Sequence, residues 1–355
     1  MYKKICVFMV LIFLLSNFNV TLVKADNVKK ISLEKSFDLM LKNDIDLKLA
    51  KLELENLILE SKEEKIDNLL INSKTVEKKR KLNIARAENN YFNEINQRLI
   101  FIAEKYFKLL ELKTEKVIKE KEADYEREVL ESIKAEEERG YKNKVDVFSQ
   151  ENRLNNSVIA NRNSESDYNH ELKEFKFLLG IDEEKNIGLE GVTDYVINNN
   201  LKEIDYKKII NEKKELKFSL YKIEIKENEL KKSQEIGSAQ MTIDKLKNEL
   251  KMAKLEKDKM KQNLIDNLKR QHYLYKRAVD NLKMRKNNLS ELKDNHLLLK
   301  EQYKKGMIKK SDLLNSDLNV LKGKLNYEKA IYNYYLNLFK LKNLFGERLG
   351  VDQDV

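Results

Sequence analysis

The chain has 355 residues, 37% of them charged, with nine glycines, one cysteine and no proline. Proline breaks helix interiors and opens many loops, so its absence argues against a turn-rich β fold and suits long helices. A single cysteine excludes a disulfide framework, and a net charge of +10 is small beside 70 Lys+Arg and 60 Asp+Glu.

Lys3 and Lys4 precede an apolar run from Ile5 to Leu15, and Val23-Lys24-Ala25 follows. This predicts a cleaved secretory signal over residues 1–25. Ser16, Asn17 and Asn19 interrupt the run short of the roughly 20 apolar residues a membrane anchor needs. Cys6 lies inside the signal. The mature chain is expected to begin near Asp26, to be exported to the cell envelope, and to be soluble without detergent. Its charges, of both signs and interspersed, describe a solvated helix surface, and no nucleic-acid partner is expected.

Ser32 is a good N-cap with Glu34 in the first turn. From Leu33 one helical run continues to Ile71, through Phe37, Leu41, Ile45 and Leu52. Asn72-Ser73-Lys74-Thr75 is a weak turn signal. A second helix is predicted from Val76 to Glu138, on the order of 90 Å long. Gly140 breaks it, and a third helix runs from Asp146 to Leu179. Ile181 to Asn200 holds Gly188, Gly191, Val192-Thr193 and three asparagines, and is predicted as a linker with one short strand. The plan then recurs. The second half breaks at Ile236-Gly237-Ser238, continues as a long helix to Lys305, turns at Gly306, and ends in a helix from Asp312 to Phe345.

Gly140 and Gly306, Asp146 and Asp312, and Gly180 and Gly346 are each 166 positions apart. A gapless match over turn and stop signal points to a duplicated helical hairpin. The domain reading is therefore a first helical repeat over 26–180, a linker over 181–205, a second repeat over 206–346 and a tail over 347–355. The fold class is all-α: two tandem repeats of long antiparallel coiled-coil hairpins with little or no β.

The last helix carries two apolar seams of alternating three and four spacing. One is Leu314, Leu318, Leu321, Leu325, Tyr332, Tyr335 and Phe339. The other is Tyr327, Ile331, Tyr334, Leu338, Leu341 and Phe345. Two seams imply two neighbours. One neighbour fits within the chain, and the seam with Tyr334, Leu338 and Leu341 is expected to need a second subunit or, in a monomer, cover from the linker at 181–200 or the opening helix, since large exposed apolar patches are unusual on monomers.

No P-loop, dinucleotide fingerprint, His-Glu-x-x-His or nucleophile elbow is present. His170, His272 and His296 lie far apart in charged helical contexts and are expected at the surface. The chain is not expected to be an enzyme, to hold a cofactor or to bind a metal. The two Gly-centred turns are the candidate functional loops. Arg139, Lys142 and Lys144 surround the first, and Lys304, Lys305, Lys309 and Lys310 the second. Each is followed by an Asp placed for a helix start, and exposed loops on rigid scaffolds often carry function.

These features resemble the outer-membrane efflux protein family, the TolC-like exit ducts, over nearly the whole mature chain. Ile31 to Leu47 looks like the family's opening helix, with Asn43-Asp44-Ile45-Asp46-Leu47 where members have Asn-Pro-(Asp/Glu)-Leu. The Arg139-Gly140 and Lys305-Gly306 turns, followed by Asp-Val and Asp-Leu, match the family's hairpin tips. The resemblance implies two repeats per chain and a homotrimer whose twelve helices enclose a water-filled duct. It implies that Arg139, Gly140, Lys305, Gly306 and Lys309 face a periplasmic adaptor (a membrane fusion protein) of an inner-membrane pump. It places Asp146, Tyr303 and Asp312 near the duct entrance. One feature departs from the family, whose members insert a pair of barrel strands in each repeat. A spanning strand takes about 9–11 residues, and the corresponding places, 71–76 and 235–242, are too short. Two functions follow: an envelope exit duct for efflux or secretion, or an exported coiled-coil spacer of the cell surface that keeps the helical body without a channel.

Overall fold

The computed structural model describes residues 29–71, 73–192, 201 and 204–349. The signal expected over 1–25 lies outside them, as do residues 193–200 of the linker and 350–355 of the tail. The first half holds strand β1 (Lys29–Ile31) and helices α1 (Leu33–Asn43), α2 (Ile45–Ile71), α3 (Lys74–Glu138) and α4 (Lys144–Leu178). Strand β2 (Ile187–Leu189) follows. The second half holds α5 (Tyr206–Glu212), α6 (Lys214–Glu235), α7 (Gln240–Lys304) and α8 (Lys310–Phe345).

The ends of these helices follow from local chemistry. Ser32 caps α1, its hydroxyl accepting the Lys35 amide at 3.2 Å. The single run expected from Leu33 to Ile71 is two helices, because the chain breaks at Asp44. That carboxylate accepts the Leu47 amide at 2.7 Å, a local bond that competes with the helical ladder. Ser73 caps α3 through the Val76 amide.

Helices α3 and α7 are 65 residues each, about 97 Å at 1.5 Å per residue. The shorter helices divide each rod between them. Arg98–Asp46 and Arg80–Ser61 fasten α2 along the first half of α3. Lys105–Glu171 at 2.6 Å and Lys134–Glu151 at 3.0 Å fasten α4 along the second half. On α7, Lys226–Glu249 at 2.7 Å holds α6 and Gln271–Asn337 at 3.1 Å holds α8. The end of α4 meets the α1–α2 junction, where Asn43 Nδ2 donates to Leu179 O at 2.6 Å.

In the half nearer Gly140 and Gly306, α4 packs on α3, α3 on α8 and α8 on α7. In the other half α2 packs on α3, α3 on α6 and α6 on α7. Each half is a row of four antiparallel or near-parallel rods, and α4 and α7, at the ends of the tip-side row, have no substantial contact with each other. The two hairpins meet along α3 and α8. Phe107 stacks on Tyr332 with centroids 4.8 Å apart and planes 7° from parallel.

Both seams of α8 are covered within one chain. Tyr332 faces α3, whereas Tyr334 and Leu341 are fully buried and Tyr334 lies against Tyr275 of α7, centroids 5.7 Å apart. This corrects the expectation that the Tyr334 seam needs a second subunit. Heptad spacing reports that a face is buried, not which helix buries it. At Gly323 α8 comes close to α7, and a Cβ there would run into the Leu292 side chain.

The core is richest at the waist. There β1 and β2 pair in parallel, Lys29 opposite Ile187 and Ile31 opposite Leu189. The Tyr106 hydroxyl lies 2.9 Å from Ile31 O and 2.7 Å from Glu190 O, pinning this two-stranded sheet to α3. Burial pushes the Tyr106 phenol well above its ordinary pKa. Helix α1 adds Phe37 against Phe339.

The connection from α2 to α3 is two residues, and that from α6 to α7 is four. Neither has room for a strand pair, and among the described residues β1 and β2 are the only strands.

Candidate functional site

The two Gly-centred turns are built alike. Helix α3 ends at Glu138 with Arg139 as its C-cap, and Gly140 takes φ +78°. The Gly140 amide donates to Glu137 O at 2.8 Å and the Tyr141 amide to Glu136 O at 2.9 Å. Helix α7 ends at Lys304 with Lys305 as its C-cap, and Gly306 is at φ +71°. There the Gly306 amide donates to Tyr303 O and the Met307 amide to Gln302 O, both at 2.9 Å. Each is a Schellman stop, which needs a left-handed residue and so favours glycine.

The next helix starts on the aspartate. Asp146 accepts the Asn143 amide at 3.0 Å, and Asn143 Oδ1 accepts the Asp146 amide at 3.0 Å, a full capping box. Asp312 accepts the Lys309 amide at 3.1 Å, but a lysine side chain cannot return the bond. Both carboxylates are thus engaged in helix starts. Tyr303 stands one turn before Gly306 and is 37% exposed.

The two tips lie side by side. Lys309 Nζ sits 2.9 Å from Glu136, and Lys310 Nζ 2.7 Å from Glu128. The Lys309 bond holds Glu136 below the usual carboxylate range, and Glu136 raises Lys309. Of the five tip residues expected to face a partner, Lys309 is therefore tied to the first hairpin. Arg139 and Lys305 are exposed, and a Cβ added at Gly140 or Gly306 would meet nothing within 4 Å.

The sequence reading did not single out the apolar side chains at these ends. Tyr141 is 78% exposed, Val145 74%, Phe148 65% and Met307 69%. Apolar residues directly after a Gly stop, where no core can follow, are the signal that would have marked them.

The three histidines separate. His170 is exposed and His296 half-buried beside Ser316. His272 is buried, which corrects its expected place at the surface. Its Nδ1 lies 2.6 Å from the Tyr206 hydroxyl and its Nε2 2.8 Å from Leu201 O. A carbonyl only accepts, so Nε2 carries the proton and Nδ1 accepts from Tyr206. The helical period puts His272 in line with Leu268 and Tyr275, both buried, so the signal was legible. Burial lowers its pKa. The unfolded chain then takes up a proton near pH 6.5 that the folded chain resists, so stability falls as pH drops below about 6.5. Melting at pH 7.5 and 5.5 is expected to show a larger fall for the natural chain than for His272→Asn. Equal falls would remove His272 from the account. Among the described residues no group of three or more His, Cys, Asp or Glu is placed to hold a metal.

No family model and no curated protein matches the sequence. Solved structures do match the fold. The outer-membrane channel OprN aligns with a TM-score of 0.64 at 11% identity, over 88% of this chain and 89% of that one. The Campylobacter jejuni CmeC outer membrane channel gives 0.64 at 16% identity, over 91% and 87%. The outer membrane protein VceC from Vibrio cholerae gives 0.66 at 8% identity, over 89% and 96%. The two-hairpin body of this chain thus has the fold of the outer-membrane efflux channels, the TolC-like fold.

Proposed function

We propose that this protein is an exit-duct component of an efflux or secretion system in the cell envelope. The carrying observation is that both Gly-centred turns sit together at one end of a rod about 97 Å long, joined by the Lys309–Glu136 pair. That end presents exposed apolar and cationic side chains together. In this reading three copies close into a cylinder of twelve helices, with the tips docking a periplasmic adaptor of an inner-membrane pump. Asp146 and Asp312 brace the tip turns from which Tyr303 and the exposed lysines face the duct entrance.

A photo-crosslinking residue at Tyr141 or Met307, in cells, is expected to capture an adaptor-like envelope protein. The same residue at Met241, at the opposite end, should not. Lys305→Glu should weaken capture without disturbing the fold, because Lys305 has no ion-pair partner among the described residues. Lys309→Glu also breaks the Glu136 pair and is the less clean variant. Replacing 72–75 by Gly-Ser should leave capture unchanged. Equal capture at both ends would defeat the reading.

A second reading, an exported spacer, draws support from the short links between α2 and α3 and between α6 and α7, which leave no barrel strands. Light scattering separates the two: a duct needs several copies in a closed ring, and a spacer does not.

A further inference from the structure

The junctions that open α2 and α6 are built alike. Asp46-Leu47-Lys48 recurs as Glu215-Leu216-Lys217, which makes Asp44 and Lys213 counterparts. Each is the single residue between two helices, α1 and α2 or α5 and α6. Their backbones agree, with φ −59° and ψ 122° at Asp44 and φ −62° and ψ 132° at Lys213. Leu47 and Leu216 are both buried behind them.

The chemistry at that residue is opposite in the two halves. Asp44 caps α2, its carboxylate accepting the Leu47 amide at 2.7 Å. Arg98 stands 3.9 Å from it. Asn43 closes this junction by donating to Leu179 O at 2.6 Å. Its side chain lies so near Gly180 that a Cβ there would come within 2.8 Å of it. In the second half Lys213 brings a positive charge to the positive end of α6, where an anion is favoured. No side chain caps α6, and the first N–H groups of a helix have no acceptor within it. Beside Gly346, the counterpart of Gly180, a Cβ would meet Lys213 Nζ at 3.8 Å and nothing else among the described residues.

The space left open is a cavity of 580 Å³, lined by α3, α5, the start of α6, α7 and the end of α8. Small-molecule sites run from about 300 to 1,000 Å³. Phe92, Leu264 and Phe345 give it apolar walls. Asn89 lines it too, is 7% exposed, and makes no side-chain hydrogen bond among the described residues. Buried amides are nearly always paired, so an unpaired one marks a place where something else binds. Lys213 has no ion pair among the described residues either. Burial lowers its pKa, and Glu215 favours its charge without pairing with it. The other charges on the lining are engaged or exposed. Lys214 Nζ sits 5.5 Å from the Phe92 ring centroid, Glu347 lies 3.9 Å from Lys342, and Glu212 is exposed.

We propose that this cavity binds a small organic carboxylate. The ligand's carboxylate takes the place that Asp44 fills in the first half, on the first-turn amides of α6, with Lys213 as its counter-ion. Helix N-termini hold anions through such amides. Asn89 supplies a further hydrogen bond to the polar end of the ligand. The body of the ligand lies against Phe92, Leu264 and Phe345. The site is built from one chain, so it stands whether or not copies close into a ring.

The test uses the full chain by isothermal titration calorimetry at fixed ionic strength. Sodium benzoate is the probe, and benzamide is its neutral counterpart of nearly equal shape. Benzoate is expected to bind about tenfold more tightly than benzamide, since only the carboxylate gains the charge-assisted bonds. Lys213→Asp installs the cap of the first half. It should abolish benzoate binding and melt no lower than the natural chain, whereas loss of a merely structural lysine would lower the melting temperature. Lys213→Arg keeps the charge and should retain benzoate binding. Asn89→Leu should weaken benzoate about fivefold, one hydrogen bond's worth, without lowering the melting temperature, because the free chain loses no bond. Benzamide binding as tightly as benzoate, benzoate binding that survives Lys213→Asp, or no binding of either overturns the site and leaves the cavity to water.

Discussion

Phe107→Ala is expected to lower stability by about 3–5 kcal/mol, the range for emptying a buried aromatic site. Phe107 is 1% exposed, stacked on Tyr332 and edge-on to Tyr106 at 6.2 Å. It stands where α3 meets α8, so it bears on the contact between the two hairpins as well as on one helix. Removing the ring opens a cavity that rods braced along their whole length cannot collapse to fill. Phe107→Leu should cost clearly less, since most of the volume stays. Urea unfolding of the three chains reads the difference. A loss under about 1 kcal/mol for the alanine variant would mean that the hairpins are held elsewhere, because so small a change is typical of a surface site.

Asn96→Leu is expected to cost about 2–3 kcal/mol although it nearly keeps size and raises helix propensity. Asn96 is fully buried. Its Nδ2 donates to Asn343 Oδ1 and to Glu347 O, both at 2.9 Å, and its Oδ1 accepts the Leu349 amide at 3.1 Å. Leucine would leave the buried Leu349 amide without an acceptor and two oxygens without a donor. The end of α8 should then fray, read as faster hydrogen exchange at Leu349. Asn96→Asp keeps an acceptor and should protect that amide better than leucine does. Equal exchange in both variants would count against Asn96 as the clasp.

The tips show how far chemistry near the chain reaches without tertiary structure. Glycine at 140 and 306, basic residues before it and aspartate six positions after it specify a Schellman stop and a helix start. Both form as the local pattern requires. The role given to Asp146 and Asp312 was less legible. A carboxylate at a helix start and a carboxylate at a duct mouth look the same in sequence, and here each is bonded to a backbone amide of its own turn. His272 has charged neighbours in sequence, but its spacing from Leu268 and Tyr275 puts it on the buried face of α7.

The sequence by itself determined the helical class, the tip turns and the shortness of the opposite links. All of these depend on contacts or conformations within a few residues. Only the tertiary structure decided which helix covers which seam, since a heptad stripe is equally content against any complementary surface. It placed the Tyr334 seam on α7 of the same chain. It paired β1 with β2 across 158 positions, Lys29 with Ile187, where three-residue strands carry no period long enough to detect. It set the α1–α2 junction, broken locally at Asp44, against the end of α4, where Asn43 donates to Leu179 O, a partner 136 residues away. Such contacts are set by how two distant surfaces fit, and no local pattern encodes that fit.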